Sequence, residues 1–205
     1  MLKALNLECL RGERRLFHGV SFVLDAGELL YLQGRNGSGK TTLLRMLCGL
    51  TPPAAGEIHW RGESVHRLGG EFRAELCYLG HQNAIKEDLT PLENLCASAH
   101  LAGETLDEAG ALDALEKVGL AGREDLACRY LSQGQKRRVA LSRLVHERRV
   151  LWILDEPFVA LDTQAVAWLA DIIGGHLQRG GLAALTTHQP VEIPSAKVRE
   201  LRLGA

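Results

Sequence analysis

The chain has 205 residues, 46% hydrophobic and 24% charged, a balance that excludes disordered and fibrous classes and predicts one compact domain with a buried core. Twenty-four Lys and Arg against 25 Asp and Glu leave a net charge of −1, so the basic field that nucleic-acid binding needs is missing and no nucleic-acid partner is expected. No run of about 20 apolar residues occurs and the N-terminus lacks the build of a signal peptide, so neither a membrane span nor a secretory route is expected.

In chain order, segments around Leu5 to Leu10 and Val20 to Leu24 have strand-like composition and are joined by the charged turn Arg11-Gly12-Glu13-Arg14-Arg15. Together with the glycine-bounded Gly56–Gly62 they predict an antiparallel β patch. The apolar run Leu29–Leu32 leads through glycines 34, 37 and 39 into Leu43, Leu44, Met46 and Leu47, with Gly49, Pro52 and Pro53 beyond. This predicts a buried strand, a glycine loop, and a helix stopped by a glycine. Thr90-Pro91-Leu92-Glu93 supplies an N-cap, a first-turn proline and a capping-box glutamate, so a helical stretch starts there. Leu106, Ala109, Leu112, Leu115 and Val118 predict an amphipathic helix whose acids, Asp107, Glu108, Asp113 and Glu116, face solvent. The apolar run Val150–Leu154 and the segment Leu182–Thr187 read as strands of a parallel sheet covered on both faces. The fold class that follows is α/β, with a mainly parallel sheet, an antiparallel β patch and an inserted helical lobe over about 84–140. The five cysteines (Cys9, Cys48, Cys77, Cys96, Cys128) form no C-x-x-C pair, which argues against disulfides and zinc and for core packing in a reducing cytoplasm.

Gly34-x-x-x-x-Gly39-Lys40-Thr41 matches the P-loop pattern, in the strand-to-helix context that gives the pattern meaning. Backbone N–H groups of Gly34, Arg35, Asn36, Gly37, Ser38, Gly39, Lys40, Thr41 and Thr42 are expected to wrap phosphates, with Lys40 as a point charge and Thr41 on Mg²⁺. An ordinary glycine-rich turn is the competing reading. Leu151–Leu154 ends in Asp155 and Glu156, at the strand end where such sheets bind ligands. Asp155 is expected to help hold Mg²⁺, and Glu156 to polarise water against the γ-phosphate; an acidic helix cap is the alternative.

Ser132 and Gln135 form a capping box within Leu131-Ser132-Gln133-Gly134-Gln135. Beside the P-loop and the Asp155-Glu156 strand end, this segment resembles the signature of ATP-binding-cassette ATPases, a P-loop NTPase family, and the resemblance covers essentially the whole chain. It implies that 1–205 is a single ATP-binding domain, that the cofactors are ATP and Mg²⁺, and that the partner is a second copy whose Ser132, Gly134 and Gln135 grip the γ-phosphate across a homodimer. Gln82 corresponds to the glutamine linking Mg²⁺ and water to the helical lobe, and Asp162 to the loop crossing the dimer interface. His188 corresponds to the switch histidine on the γ-phosphate. Arg137 and Arg138 are expected on a solvated or interface face. The aromatic that commonly stacks on adenine is missing near Arg11, leaving Arg11 or Phe17 for that role.

Tyr78–Gln82 with Ile85-Lys86 and Leu89-Thr90-x-x-Glu93-Asn94-Leu95, Leu131–Leu141, Leu151–Phe158 and Thr186-Thr187-His188-Gln189 are similar to the ATP-binding subunits of haem exporters in bacterial cytochrome c maturation. That likeness implies a peripheral subunit on the cytoplasmic face of the inner membrane, docked on a membrane-spanning subunit of the maturation system. Residues 83–95 are the expected docking surface. The competing readings are another small-molecule exporter's ATPase, a non-transport scaffold cassette, a P-loop kinase or GTPase, and a nucleotide-sensing module that does not hydrolyse.

Overall fold

The computed structural model describes residues 1–187, 191–194 and 196–204. The chain divides into two compact units, the first formed by Met1–Leu79, Arg149–Pro157 and Ile173–Ala205, the second by Gly80–Arg148 and Phe158–Ile172.

In the first unit, β1 (Leu2–Arg11) and β2 (Arg14–Leu24) pair antiparallel, so the strands run longer than their apolar cores and the turn shrinks to Gly12-Glu13. β1 also pairs with β4 (Ala55–Trp60), and β4 with the short β5 (Glu63–Ser64). This is the expected antiparallel patch, in order β2-β1-β4-β5. Alternation turns Leu2 and Ala4 inward, and a register shift before Leu7, with Asn6 at φ 48°, resets it so that Leu7 and Cys9 are buried too.

The second sheet is wholly parallel, in order β6-β7-β8-β3-β9, built from β3 (Glu28–Gly34), β6 (Leu76–Leu79), β7 (Leu151–Leu154), β8 (Leu182–Thr186) and β9 (Lys197–Leu203). Every residue of β7 and β8 is buried, as their continuous apolar runs require. Their register aligns Leu154 with Leu185, while Leu32 of β3 aligns with Thr186. The carboxyl ends of β3, β7 and β8 therefore form one edge, and the chain leaves it at Gly34, Asp155 and Thr186. α1 (Lys40–Leu47) follows β3, buries Leu43, Leu44, Met46 and Leu47, and ends before Gly49 at φ 67°. The short helices α2 (Val65–Leu68) and α3 (Gly70–Ala74) lie between β5 and β6.

In the second unit, α4 (Pro91–Leu101) begins with both arms of the Thr90–Glu93 capping box made. α5 (Glu108–Lys117) is capped by Asp107, and α6 (Gln133–Ser142) by the Ser132–Gln135 box. Leu95, Ala111, Ala114, Leu115, Val118, Leu131 and Val139 make the core of this unit, with Trp168 packed on it. The predicted stripe of α5 is corrected here, because Ala109 and Leu112 are exposed and Ala111 and Ala114 take their place. Residues spaced by three drift by about 60° per step around a helix, so five of them do not share one face. α7 (Thr163–Gln178) gives its first residues to the second unit and its last to the first.

Candidate functional site

The glycine loop sits where β3 turns into α1. Gly34 has φ 149°, and a Cβ there would lie 2.7 Å from both the Leu203 carbonyl oxygen and Ser38 Oγ. Gly39 caps α1 in the left-handed region at φ 99°. A Cβ on it would meet the Phe17 ring at 3.0 Å. The loop thus carries backbone, not side chains, against a ligand. Lys40 is 9% exposed, and its Nζ donates to the carbonyl oxygens of Gly34 at 2.8 Å and Arg35 at 3.4 Å. Ser38 Oγ is buried with no hydrogen-bond partner among the described residues. A ring of glycines, a helix N-terminus, an ammonium and an unmatched hydroxyl fit an anionic phosphate chain.

Along the same sheet edge, Asp155 is 1% exposed and its N–H donates to the Leu79 carbonyl at 2.8 Å. Thr186 is fully buried; its hydroxyl donates to Asp155 Oδ1 at 2.6 Å and accepts the N–H of Glu156 at 2.8 Å. Glu156 is 8% exposed and adopts φ 49°, a conformation few non-glycine residues take. Behind the loop, the Tyr31 hydroxyl donates to the Val191 carbonyl, and burial pushes that phenol up to about 12. Burial against Cys77 likewise pushes the Cys48 thiol well above its ordinary value, as expected of a core cysteine. Sequence reasoning passed over Thr186 and Tyr31. The signal for Thr186 was a hydroxyl closing a run of apolar residues in a fully buried strand.

In the second unit, Ser132 Oγ accepts the Gln135 N–H at 3.2 Å and Gln135 Oε1 accepts the Ser132 N–H at 2.9 Å. A Cβ on Gly134 would stand 2.9 Å from the carbonyl oxygen of Ala160, which itself has φ 62°. The signature segment and the loop at residues 160–162 are therefore in direct contact, and Asp162 caps α7 through the Ala165 N–H at 2.9 Å. Gln82 is exposed near the start of this unit. Arg137 is not on a solvated face: it is 4% exposed and donates to Asn83 Oδ1 at 3.1 Å, whereas Arg138 stays partly exposed, pairs with Asp162 and donates to the Val118 carbonyl. Lys136, 7% exposed, holds Glu87 at 2.6 Å. Carbonyl and carboxylate partners let Lys136 and Arg137 sit inside the unit, a satisfaction that charge alone does not signal.

Each unit thus gathers its own expected residues: residues 34–42, Asp155 and Glu156 in the first, Ser132, Gly134, Gln135, Asp162 and Gln82 in the second. His188 lies outside the described residues. Of the two candidates for holding adenine, Phe17 is 6% exposed and packed under Gly39, whereas Arg11 is exposed. No described helix is long and apolar enough to cross a membrane.

The profile of the family described as ABC transporter matches residues 17–159. The chain is 74% identical over 204 residues to the cytochrome c biogenesis ATP-binding export protein CcmA of Dechloromonas aromatica (strain RCB), covering 100% of both chains. It is 52% identical to the protein of the same name from Nitrosospira multiformis, over 98% of each, and 48% identical to that of Escherichia coli (strain K12), over 99% of this chain and 96% of that one. A solved ATP-binding subunit of an ABC transporter is similar at TM-score 0.83 and 26% identity, over 100% of this chain and 88% of its own. A Pyrococcus furiosus structure described as a putative ABC transporter ATP-binding protein shares the fold at TM-score 0.84 and 23% identity, over 98% of this chain and 96% of that one.

Proposed function

The chain belongs to the ABC transporter family, and we propose that it is the ATP-hydrolysing subunit of a transporter complex of c-type cytochrome biogenesis. There it couples ATP hydrolysis to haem export or to the release of a haem-loaded periplasmic chaperone. The observation that carries this reading is the 74% identity along the whole chain to a protein named as a cytochrome c biogenesis ATP-binding export protein.

Residues 1–205 act as one ATP-binding domain with a helical subdomain over about 84–140. Residues 34–42 wrap the phosphates through backbone N–H groups, and Lys40 exchanges the Gly34 carbonyl for phosphate oxygen. The Thr41 hydroxyl, the Asp155 carboxylate and the Gln82 amide oxygen are hard oxygen donors, the set that suits Mg²⁺. The ion, when bound, neutralises charge on the β- and γ-phosphate oxygens. Glu156 accepts a proton from the attacking water, and His188 steadies the γ-phosphate. Ser132, Gly134 and Gln135 of one copy close on the nucleotide held by the other, with Asp162 at the crossing loop, so one chain holds half of each site. The exposed Arg11 guanidinium stacks on adenine in place of the usual aromatic ring.

The membrane-spanning partner docks at residues 83–95, where Asn83, Ile85, Asn94, Leu95 and Val139 line a shallow pocket, and this holds the chain at the cytoplasmic face of the inner membrane. Purification of the tagged full chain from detergent-solubilised membranes tests the whole reading. The expected result is an ATP-hydrolysing complex whose integral subunit belongs to cytochrome maturation. Recovery with the integral subunits of an unrelated exporter would overturn it.

A further inference from the structure

We propose that Thr186 is a positioning residue for ATP hydrolysis, its hydroxyl holding the carboxylate of Asp155 and the backbone of Glu156 in one arrangement. The inference rests on the roles proposed above for those two acids.

A hydroxyl at a fully buried place between β7 and β3 is costly unless it is hydrogen-bonded, and valine would fit the strand as well. What the hydroxyl adds is direction. The Glu156 N–H is able only to donate, so Thr186 Oγ1 accepts it at 2.8 Å. The one hydroxyl proton is then left for Asp155 Oδ1, 2.6 Å away, which accepts it. One oxygen atom thereby sets the rotation of the Asp155 carboxylate and the placement of the next residue's backbone.

Glu156 needs that second contact. At φ 49° it sits in the left-handed region, which persists for a non-glycine residue only where its surroundings dictate it. The value of φ decides where the Cα–Cβ bond leaves the chain, and so where the Glu156 carboxylate is aimed. Parallel registry makes the arrangement possible, because Leu154 stands opposite Leu185 and the residues after them meet at the sheet edge. Displacing a reacting carboxylate by even a fraction of an ångström is costly for turnover and nearly neutral for binding of the nucleotide's phosphates.

The test compares wild type, Thr186→Val and Thr186→Ser as full chains, with thermal midpoints recorded. Thr186→Val is expected to lower kcat by roughly tenfold or more. ATP binding in EDTA should be unchanged, and the gain in ATP affinity on adding Mg²⁺ should shrink. Thr186→Ser, which keeps the hydroxyl, should restore both readouts. If the valine variant does not fold, Thr186→Cys, of similar shape but weak in hydrogen bonding, takes its place. A valine variant with wild-type kcat, a serine variant as impaired as valine, or an equal loss of binding with and without Mg²⁺ would each overturn the proposal. A wild-type complex that fails to hydrolyse ATP strikes instead at the proposed function.

Discussion

Lys40 Nζ donates to the carbonyl oxygen of Gly34 at 2.8 Å, so the ammonium proposed to bind phosphate is held across its own loop. The contact keeps a 9% exposed charge satisfied. Lys40→Ala removes this charge and is expected to weaken ATP binding by roughly ten- to a hundredfold, the worth of a charge-assisted hydrogen bond or two. Titration with a fluorescent ATP analogue reads the loss. Unaltered affinity would remove Lys40 from the site.

In the proposed function Glu156 and Lys40 act at different stages, and their variants should separate. Glu156→Gln keeps the shape and the N–H bonded to Thr186 but gives up the base, so ATP binds and turnover falls by roughly a hundredfold or more. With binding intact and hydrolysis blocked, the closed dimer should accumulate when ATP is added, as read by light scattering. A variant that stays monomeric in ATP would contradict the two-copy site.

Gly134 offers a probe of the second unit. Its missing Cβ leaves room for the Ala160 carbonyl at 2.9 Å, and that backbone is also tied down through Asp162 to Arg138. Gly134→Ala should push the 160–162 loop and lower ATPase activity by roughly tenfold or more, while ATP binding by the isolated chain is kept. Measuring both on one preparation checks the separation.

The elements that reported themselves in the sequence did so through local chemistry. Two capping boxes, a glycine loop and fully apolar strands depend on neighbours a few residues away. Other features depend on partners far along the chain. α7 carries Gly174-Gly175, poor helix formers, in its interior, and β9 carries Lys197, Arg199 and Arg202 as an edge strand does. Arg137 and Arg138 look solvent-facing until Asn83, Val118 and Asp162 come to them. Thr186 gains meaning only when β7 is laid beside β8.

Edge strand β9 is also where a pH dependence arises. Arg199 clamps Glu28 of neighbouring β3 with two bonds, Nε to Oε2 at 2.7 Å and Nη2 to Oε1 at 2.9 Å, and the Asp25 N–H donates to the same carboxylate. The Arg199 hydrogen bonds are the main reason that the Glu28 carboxyl is held below its ordinary value, against a smaller upward push from burial. A carboxyl lowered by folding binds its proton more weakly in the folded chain than in the unfolded one. Its stabilisation is therefore complete above the unfolded glutamate value near about 4.3 and is lost as pH falls through that value towards the folded one. Glu28→Gln should accordingly lower the thermal midpoint at pH 7 and have a shrinking effect below about pH 4, where the wild-type carboxyl is itself being protonated. Raising the salt concentration at pH 7 should narrow the difference too, because Arg199 is half exposed. Melting curves of both proteins from pH 7 down to pH 3 measure this, and a gap that holds constant across the range would show that the clamp contributes through shape and not through charge.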